Sequence, residues 1–262
     1  MPAGVDAVEA VAERLRELLG GRRPCAVALD VDGTLTERRV RGDFLIDLGA
    51  VEALRRVERL GVRTLLVTGN SAAVVAGLAR YIGSRGPHVA ENGCVVYHSG
   101  RLYSACTGSA RAAARVLEEE MAGVLTPSWQ NACRLHDYAF LAPRDRDPGS
   151  LVPAVEELLT SRGHRVRVAS SGYAIHIRPP DASKGNGLRL ALRLAGLDPG
   201  CAVAAGDSAM DAEMAGSAAA LAAVANADEE LKRAAALVLP EPSGRGVRLL
   251  LEAVALLASG GE

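Results

Sequence analysis

The stretch Cys25–Thr36, CAVALDVDGTLT, decides how this chain is to be read. CAVAL is a short, continuous apolar run, the composition of a strand buried on both faces. It leads without a break into two acids, Asp30 and Asp32, and then Gly33. In extended chain residues i and i+2 share a face, so both carboxylates are expected to enter one site while Val31 points into the fold. Gly33 lets the chain turn sharply afterwards. Two acids at the end of a buried strand cost stability unless a cation or a cationic side chain balances them, which argues against a merely solvated acidic turn.

Outward from this point the pattern alternates between strand and helix. The spacing predicts a helix over Asp47–Leu60, stopped by Gly61, a strand over Val62–Thr68, a helix over Ala72–Ile82 and a short strand ending in a turn over His88–Gly93. The texture then changes. Cys94–Tyr103 reads as a hairpin around Ser99-Gly100, followed by a helix near Ser109–Met121 and a strand-like run near Cys133–Phe140. After a loop over Pro143–Ser150 come a helix over Leu151–Arg162 and strands over Arg165–Ala169 and Tyr173–Arg178. From Pro179 the alternation resumes, with a helix over Ser183–Ala195, a strand at CAVAAG (Cys201–Gly206) and a last helix over Gly246–Ala258. The expected architecture is α/β: a doubly wound parallel-sheet core with an inserted α+β cap. The boundaries are read as an N-terminal helical extension over 1–21, core over 22–100, cap over 101–179 and core again over 180–262.

At 262 residues there is material for a sizeable core, and 49% hydrophobic with 23% charged residues is an ordinary globular balance. A net charge of −1 gives no basic field for nucleic acid or an anionic membrane, so attraction for an anion must be local. No stretch reaches the roughly 20 apolar residues that span a bilayer, and the N-terminus lacks a signal-peptide core. Cys25, Cys94, Cys106, Cys133 and Cys201 form no metal-ligand spacing. They read as free thiols packed as small hydrophobes, which implies a reducing cytoplasm.

Three further segments fall at the ends of predicted core strands, where open α/β sheets bind ligands. Thr68-Gly69-Asn70 offers a hydroxyl and backbone N–H groups at a helix entry, suited to phosphate oxygens but equally to a helix cap. Lys184 opens a helix, and only one other of the 30 basic residues, Lys232, is a lysine. A lysine supplies a compact charge for phosphate and carboxylate together. Gly206-Asp207-Ser208-Ala209-Met210-Asp211 places two more acids one helical turn apart. With Asp30 and Asp32 they make a hard oxygen set suited to Mg²⁺.

With DVDGT, Thr68, Lys184 and GDSAMD in order, the chain resembles the haloacid dehalogenase superfamily. TGNS, VAENGCVVY, SSGYAIHI, ASKG and GDSAMDAEM together are similar to its archaeal-type phosphoglycolate phosphatase branch. The resemblance implies Mg²⁺-dependent hydrolysis of a small phosphate monoester, 2-phosphoglycolate foremost, through an aspartyl-phosphate. It implies Asp30 as nucleophile and Asp32 as general acid and base. It further implies Thr68, Gly69, Asn70 and Lys184 around phosphate, and Asp30, Asp32, Asp207 and Asp211 around the metal. In the cap, Arg134, His136, Tyr173 and His176 are candidates to face the leaving alcohol, Arg134 by a bidentate pair with a carboxylate. The implied partner is a small phosphorylated metabolite, with oligomeric state left open. A sugar-phosphate phosphatase or a phosphomannomutase remains an alternative. A phosphorylatable signalling module is the alternative from another class, disfavoured by chain length and by the second acidic pair after Lys184.

Overall fold

The amphipathic N-terminal run forms helix α1 (Val5–Leu18) in a computed structural model that describes residues 5–37 and 44–260. It is no appendage. Val11, Ala12, Leu15 and Leu19 are buried in the main hydrophobic cluster. Strand β1 (Ala26–Leu29) follows with all four residues buried. Asp47 accepts the Ala50 N–H at 2.8 Å and so caps α2 (Leu48–Arg59). Next come β2 (Arg63–Leu66), α3 (Ala72–Ile82) and β3 (His88–Ala90). A hairpin of β4 (Val95–His98) and β5 (Arg101–Ser104) turns through Ser99 and Gly100, both at positive φ.

The chain continues through α4 (Arg111–Glu120), β6 (Thr126–Pro127), β7 (Tyr138–Leu141), α5 (Val152–Ser161), β8 (Arg167–Ser170) and β9 (Ile175–Arg178). It then returns as α6 (Lys184–Ala195), β10 (Ala202–Gly206), β11 (Ala220–Ala223), α7 (Glu229–Ala234), β12 (Leu237–Val238) and α8 (Ser243–Ser259). Helix α8 packs against α1 and α2. The strand expected to begin near Cys133 begins only at Tyr138, because Trp129–Cys133 winds into a 3₁₀ turn capped by Ser128.

Five strands form a parallel sheet in the order β12-β11-β10-β1-β2. The chain leaves β1 towards β2 on one side and comes back as β10 on the other. The C-terminal ends of β1, β2 and β10 therefore enclose the crevice where strand order reverses, the favoured ligand position of a doubly wound sheet. A bridge between Val67 and Val89 sets β3 beside β2, and β3, β4 and β5 continue as an antiparallel sheet.

The antiparallel order β6-β7-β9-β8 belongs to a second unit. Its strands and helices α4 and α5 bury a cluster of their own around Leu117, Phe140, Val155, Leu159, Ile175 and Ile177. A break after residue 100 would split the β4–β5 hairpin, in which Val95 pairs with Ser104. Cys106 packs in the first cluster and Ala110 in the second. The return crossing lies between Ile177 and Ala182. Thr107 ties the two crossings together by donating its N–H and hydroxyl to Asp181 Oδ2 at 2.8 and 2.7 Å.

The cysteines correct the reading of free thiols. Cys25 is bonded to Cys201 and Cys94 to Cys106, leaving Cys133 as the free, exposed cysteine among the described residues. Cys25 and Cys201 are 176 residues apart, yet they stand side by side at the bases of β1 and β10 with Cα atoms 5.3 Å apart. Only the pairing of Ala26 with Ala202 brings them together, and that register is not visible in cysteine spacing.

His88 gives the fold an acid sensitivity. Its ring is buried and Nδ1 accepts the Leu66 N–H at 3.2 Å; burial pushes its pKa down to about 4. Between the ordinary value of about 6.5 and about 4 the unfolded chain binds this proton and the folded chain does not. Stability therefore falls as pH drops through that window, by roughly 3 kcal/mol from this group. His88→Asn keeps an acceptor for Leu66 but cannot titrate. Thermal melting from pH 7 to 4.5 is expected to show a shallower acid-side decline in His88→Asn than in the parent, and an identical decline would remove His88 as the cause.

Candidate active site

The parallel ladder runs up to the first acid, with the Asp30 N–H donating to Ala205 O at 2.9 Å. Beyond it the chain is not extended, contrary to the simple alternation argument. Val31–Leu35 forms one wide turn, closed by the Thr36 N–H on Val31 O at 3.0 Å and interrupted at Asp32 and at Gly33, whose φ is 90°. Val31 is buried, as the alternation requires, and Asp30 and Asp32 still reach the same cavity. A Cβ on Gly33 would lie 2.2 Å from Asp207 Oδ2, so this turn needs glycine both for its φ and for its neighbour.

Lys184 stands at the start of α6 with its side chain buried. Its Nζ donates to Asp30 Oδ1 at 2.7 Å and to Asp211 Oδ1 at 2.6 Å. Burial alone would lower the pKa of this ammonium, but Asp211 and then Asp30 hold it well above its ordinary value. The second oxygen of Asp211 accepts the N–H groups of Asp207 and Ser208 and the Ser208 hydroxyl at 3.1, 2.9 and 2.9 Å. Both Asp211 oxygens are thus engaged, one on the lysine and one on the loop that carries Asp207. Asp207 itself accepts the Thr34 hydroxyl on Oδ1 at 2.8 Å.

Asp30, Asp207 and Asp211 each offer an oxygen within 4.8 Å of the others. Asp32 is not in that group; its Oδ2 accepts from Asn70 Nδ2 at 2.6 Å. Three carboxylates facing one ammonium leave a surplus of negative charge. Burial pushes Asp30 well up; Lys184 opposes this, and Asp211 and Asp207 add to it. Asp207 is carried to about 7 by burial and by repulsion from Asp211. Hard oxygen donors with uncompensated charge fit a small divalent cation such as Mg²⁺. Burial raises Asp32 as well, partly offset by the Asn70 hydrogen bond, the direction wanted of a group that must donate a proton.

After β2, Thr68 Oγ1 accepts from the Asn70 N–H and from Asn70 Nδ2 at 3.1 and 3.0 Å. The Gly69 carbonyl accepts from Arg134 Nη2 at 2.8 Å. Thr68, Gly69, Asn70, Lys184, Asp30, Asp32 and Asp207 all line a cavity of about 410 Å³. Its far wall comes from the second unit: Ser128, Trp129, Gln130, Arg134, Tyr173 and His176. Phe44 and Tyr173 meet edge to face, 5.2 Å between ring centroids, and join the two walls.

The candidates from the inserted unit separate here. Tyr173 and His176 line the cavity, whereas His136 lies off it, bonded to Ser104 Oγ at 3.0 Å and to the Gly108 carbonyl. Arg134 is already engaged within the protein, Nη2 donating to the Gly69 carbonyl and Nη1 lying 3.5 Å from Asp137 Oδ2. His176 Nδ1 lies 3.0 Å from Asp137 Oδ2, and Asn92 Nδ2 donates to the same oxygen at 2.6 Å. Burial would raise the Asp137 carboxyl, but attraction to His176 and Arg134 brings it below its usual range. Glu91 accepts three successive N–H groups, from Leu135, His136 and Asp137, at 3.0, 2.7 and 3.1 Å. Gln130, Asn92, Asp137 and Glu91 were not singled out from sequence; an acid closing the apolar run HVA was the one available signal, at Glu91.

The chain belongs to the haloacid dehalogenase-like hydrolase family, whose model matches residues 27–120 and 145–251. Family and relatives together make it a phosphoric monoester hydrolase. It is 43% identical to a phosphoglycolate phosphatase of Metallosphaera sedula over 83% of this chain and 93% of that protein. It is 36% identical to a phosphoglycolate phosphatase of Staphylothermus marinus over 87% and 96%. A crystal structure from Thermoplasma acidophilum superposes with a TM-score of 0.76 at 25% identity, covering 90% of this chain and all of that one. The sucrose-phosphatase of Synechocystis shares the fold, with a TM-score of 0.66 at 19% identity over 90% and 98% of the two chains.

Proposed function

We propose that this chain hydrolyses a small phosphate monoester, 2-phosphoglycolate foremost, with Asp30 as the nucleophile. The observation that carries the reading is Lys184, held between Asp30 and Asp211 at the sheet edge where Thr68 and Asp207 converge. In the first half-reaction an Asp30 oxygen bonds to phosphorus as the bond to the alcohol oxygen breaks, and Asp32 gives that oxygen its proton. In the second, Asp32 takes a proton from water, the water oxygen bonds to phosphorus and the Asp30–phosphorus bond breaks, returning a free carboxylate and phosphate. Lys184 balances charge on the phosphoryl oxygens, and Thr68 with the N–H groups of its loop orients them. Asp30 and Asp207, with Asp211 ordering their surroundings, would hold Mg²⁺, which would supply further charge neutralisation.

Residues 107–181 act, on this reading, as a cap over the core formed by 5–37, 44–106 and 182–260. The cap sets the identity of the alcohol, and a cavity of about 410 Å³ suits a small one. The phosphoglycolate assignment rests on the named relatives. Among the described residues no helix is long and apolar enough to cross a membrane. We place the protein in the cytoplasm, where paired cysteines are a habit of hyperthermophiles rather than of mesophiles.

Kinetics against short phosphorylated acids and hexose phosphates, with and without EDTA, test the proposal. The expected result is highest kcat/KM for phosphoglycolate, loss of turnover in EDTA and recovery with Mg²⁺. Preference for hexose phosphates would overturn the substrate, and full activity in EDTA would overturn the metal.

A further inference from the structure

The cap reaches the candidate general acid through a chain of amides. Gln130, on the 3₁₀ turn of the cap, uses both ends of its side chain: Oε1 accepts the Ser71 N–H at 2.7 Å and Nε2 donates to Asn70 Oδ1 at 2.7 Å. Asn70 in turn donates from Nδ2 to Asp32 Oδ2 at 2.6 Å. The direction of every bond follows from the first. A backbone N–H can only donate, so Ser71 fixes which end of the Gln130 amide is oxygen. The other end is then a donor and requires Asn70 to present its oxygen. That leaves the Asn70 NH₂ facing Asp32. With Oδ2 committed as an acceptor, the proton for the leaving oxygen belongs on Asp32 Oδ1.

We propose that Gln130 is a positioning residue that couples docking of the cap to the aim of the general acid. With the cap away, Asn70 keeps its Nδ2 bonds to Thr68 and Asp32 but loses the donor that pins its oxygen, and the amide is held less firmly against Asp32. With the cap docked, one orientation is enforced and the acid is set for proton transfer. The chain thus makes acid catalysis conditional on a covered site. This inference rests on the reading of Asp32 as the acid, and not on which alcohol is the natural substrate.

The test compares leaving groups. An aliphatic alkoxide needs a proton as it departs, whereas p-nitrophenolate does not, and kcat/KM reports only the steps through departure of that group. Gln130→Glu keeps the acceptor for Ser71 but puts an oxygen against Asn70 Oδ1; Gln130→Met fills similar space with no donor. For both variants kcat/KM towards the best aliphatic phosphate is expected to fall about ten-fold or more, part of the hundred-fold and upwards that acid catalysis contributes. Towards p-nitrophenyl phosphate it is expected to fall less than about three-fold, since no proton is required. Equal losses on both substrates would reduce Gln130 to a cap anchor, and no loss on either would remove it altogether; each result overturns the proposal. Using whichever aliphatic phosphate the parent turns over fastest keeps this outcome separate from the phosphoglycolate assignment. Unchanged melting temperature checks that the variants fold, and should Gln130→Met fail to do so, Gln130→Glu carries the comparison.

Discussion

Asp30→Asn is expected to fold with an unchanged secondary structure and to turn over substrate at least about ten-thousand-fold more slowly, the scale seen when a nucleophile is removed from a site that acts as a unit. The substitution is nearly isosteric. Asn Oδ1 can still accept from Lys184 Nζ, and the backbone bond to Ala205 O is unaffected. What is lost is the nucleophilic oxygen and one negative charge. Because burial and the neighbouring Asp211 and Asp207 already press Asp30 towards its neutral form, removing the charge relieves repulsion. The variant is therefore expected to melt at the parental temperature or slightly above. An inactive protein that also melted far below the parent would place the defect in the fold instead of the chemistry.

Lys184→Met is expected to have the opposite thermodynamic sign. The side chain is buried between Asp30 and Asp211, and methionine fills the space without the charge. Removing one member of a buried charge set leaves the others unpaired, at a cost of about 3–5 kcal/mol. For a chain of this size that is a fall of roughly 10 °C in melting temperature. The pH dependence identifies the cause. Without the ammonium, nothing offsets the burial that raises Asp30, so the folded state binds that proton before the unfolded chain does. The stability lost in the variant is then expected to shrink, relative to the parent, as pH falls through that raised value. A loss that is flat with pH would point to packing alone. Activity is expected to fall at least about a thousand-fold, since charge on the transferring phosphoryl group is no longer balanced.

How much of this was legible in the sequence depends on the range of the forces involved. The parallel core was readable because buried strands such as CAVAL and VRTLLV are locally distinctive, and a glycine such as Gly61 punctuates a helix end. The grouping of Asp30, Lys184, Asp207 and Asp211 was legible because topology alone brings strand ends together at one edge. The roles within the group were not. That Asp211 spends one oxygen on Lys184 and the other on the Asp207–Ser208 backbone is a matter of tenths of an ångström. The disulfides were misread because strand register, not cysteine spacing, sets Cys25 beside Cys201. That the β4–β5 hairpin extends the sheet of β3 was not legible, because a hairpin looks the same whether it extends one sheet or opens another. The partners of Arg134, Gly69 and Asp137, were not legible because they lie 65 residues back and three residues ahead with no local pattern joining them.

A phosphoryl group carried on Asp30 is an acyl phosphate, which borohydride reduces to the corresponding alcohol. Enzyme quenched during turnover, treated with borohydride and digested should yield homoserine at position 30, and none when substrate is omitted. Homoserine at Asp207 or Asp32, or unmodified Asp30 under conditions of steady turnover, would contradict the account.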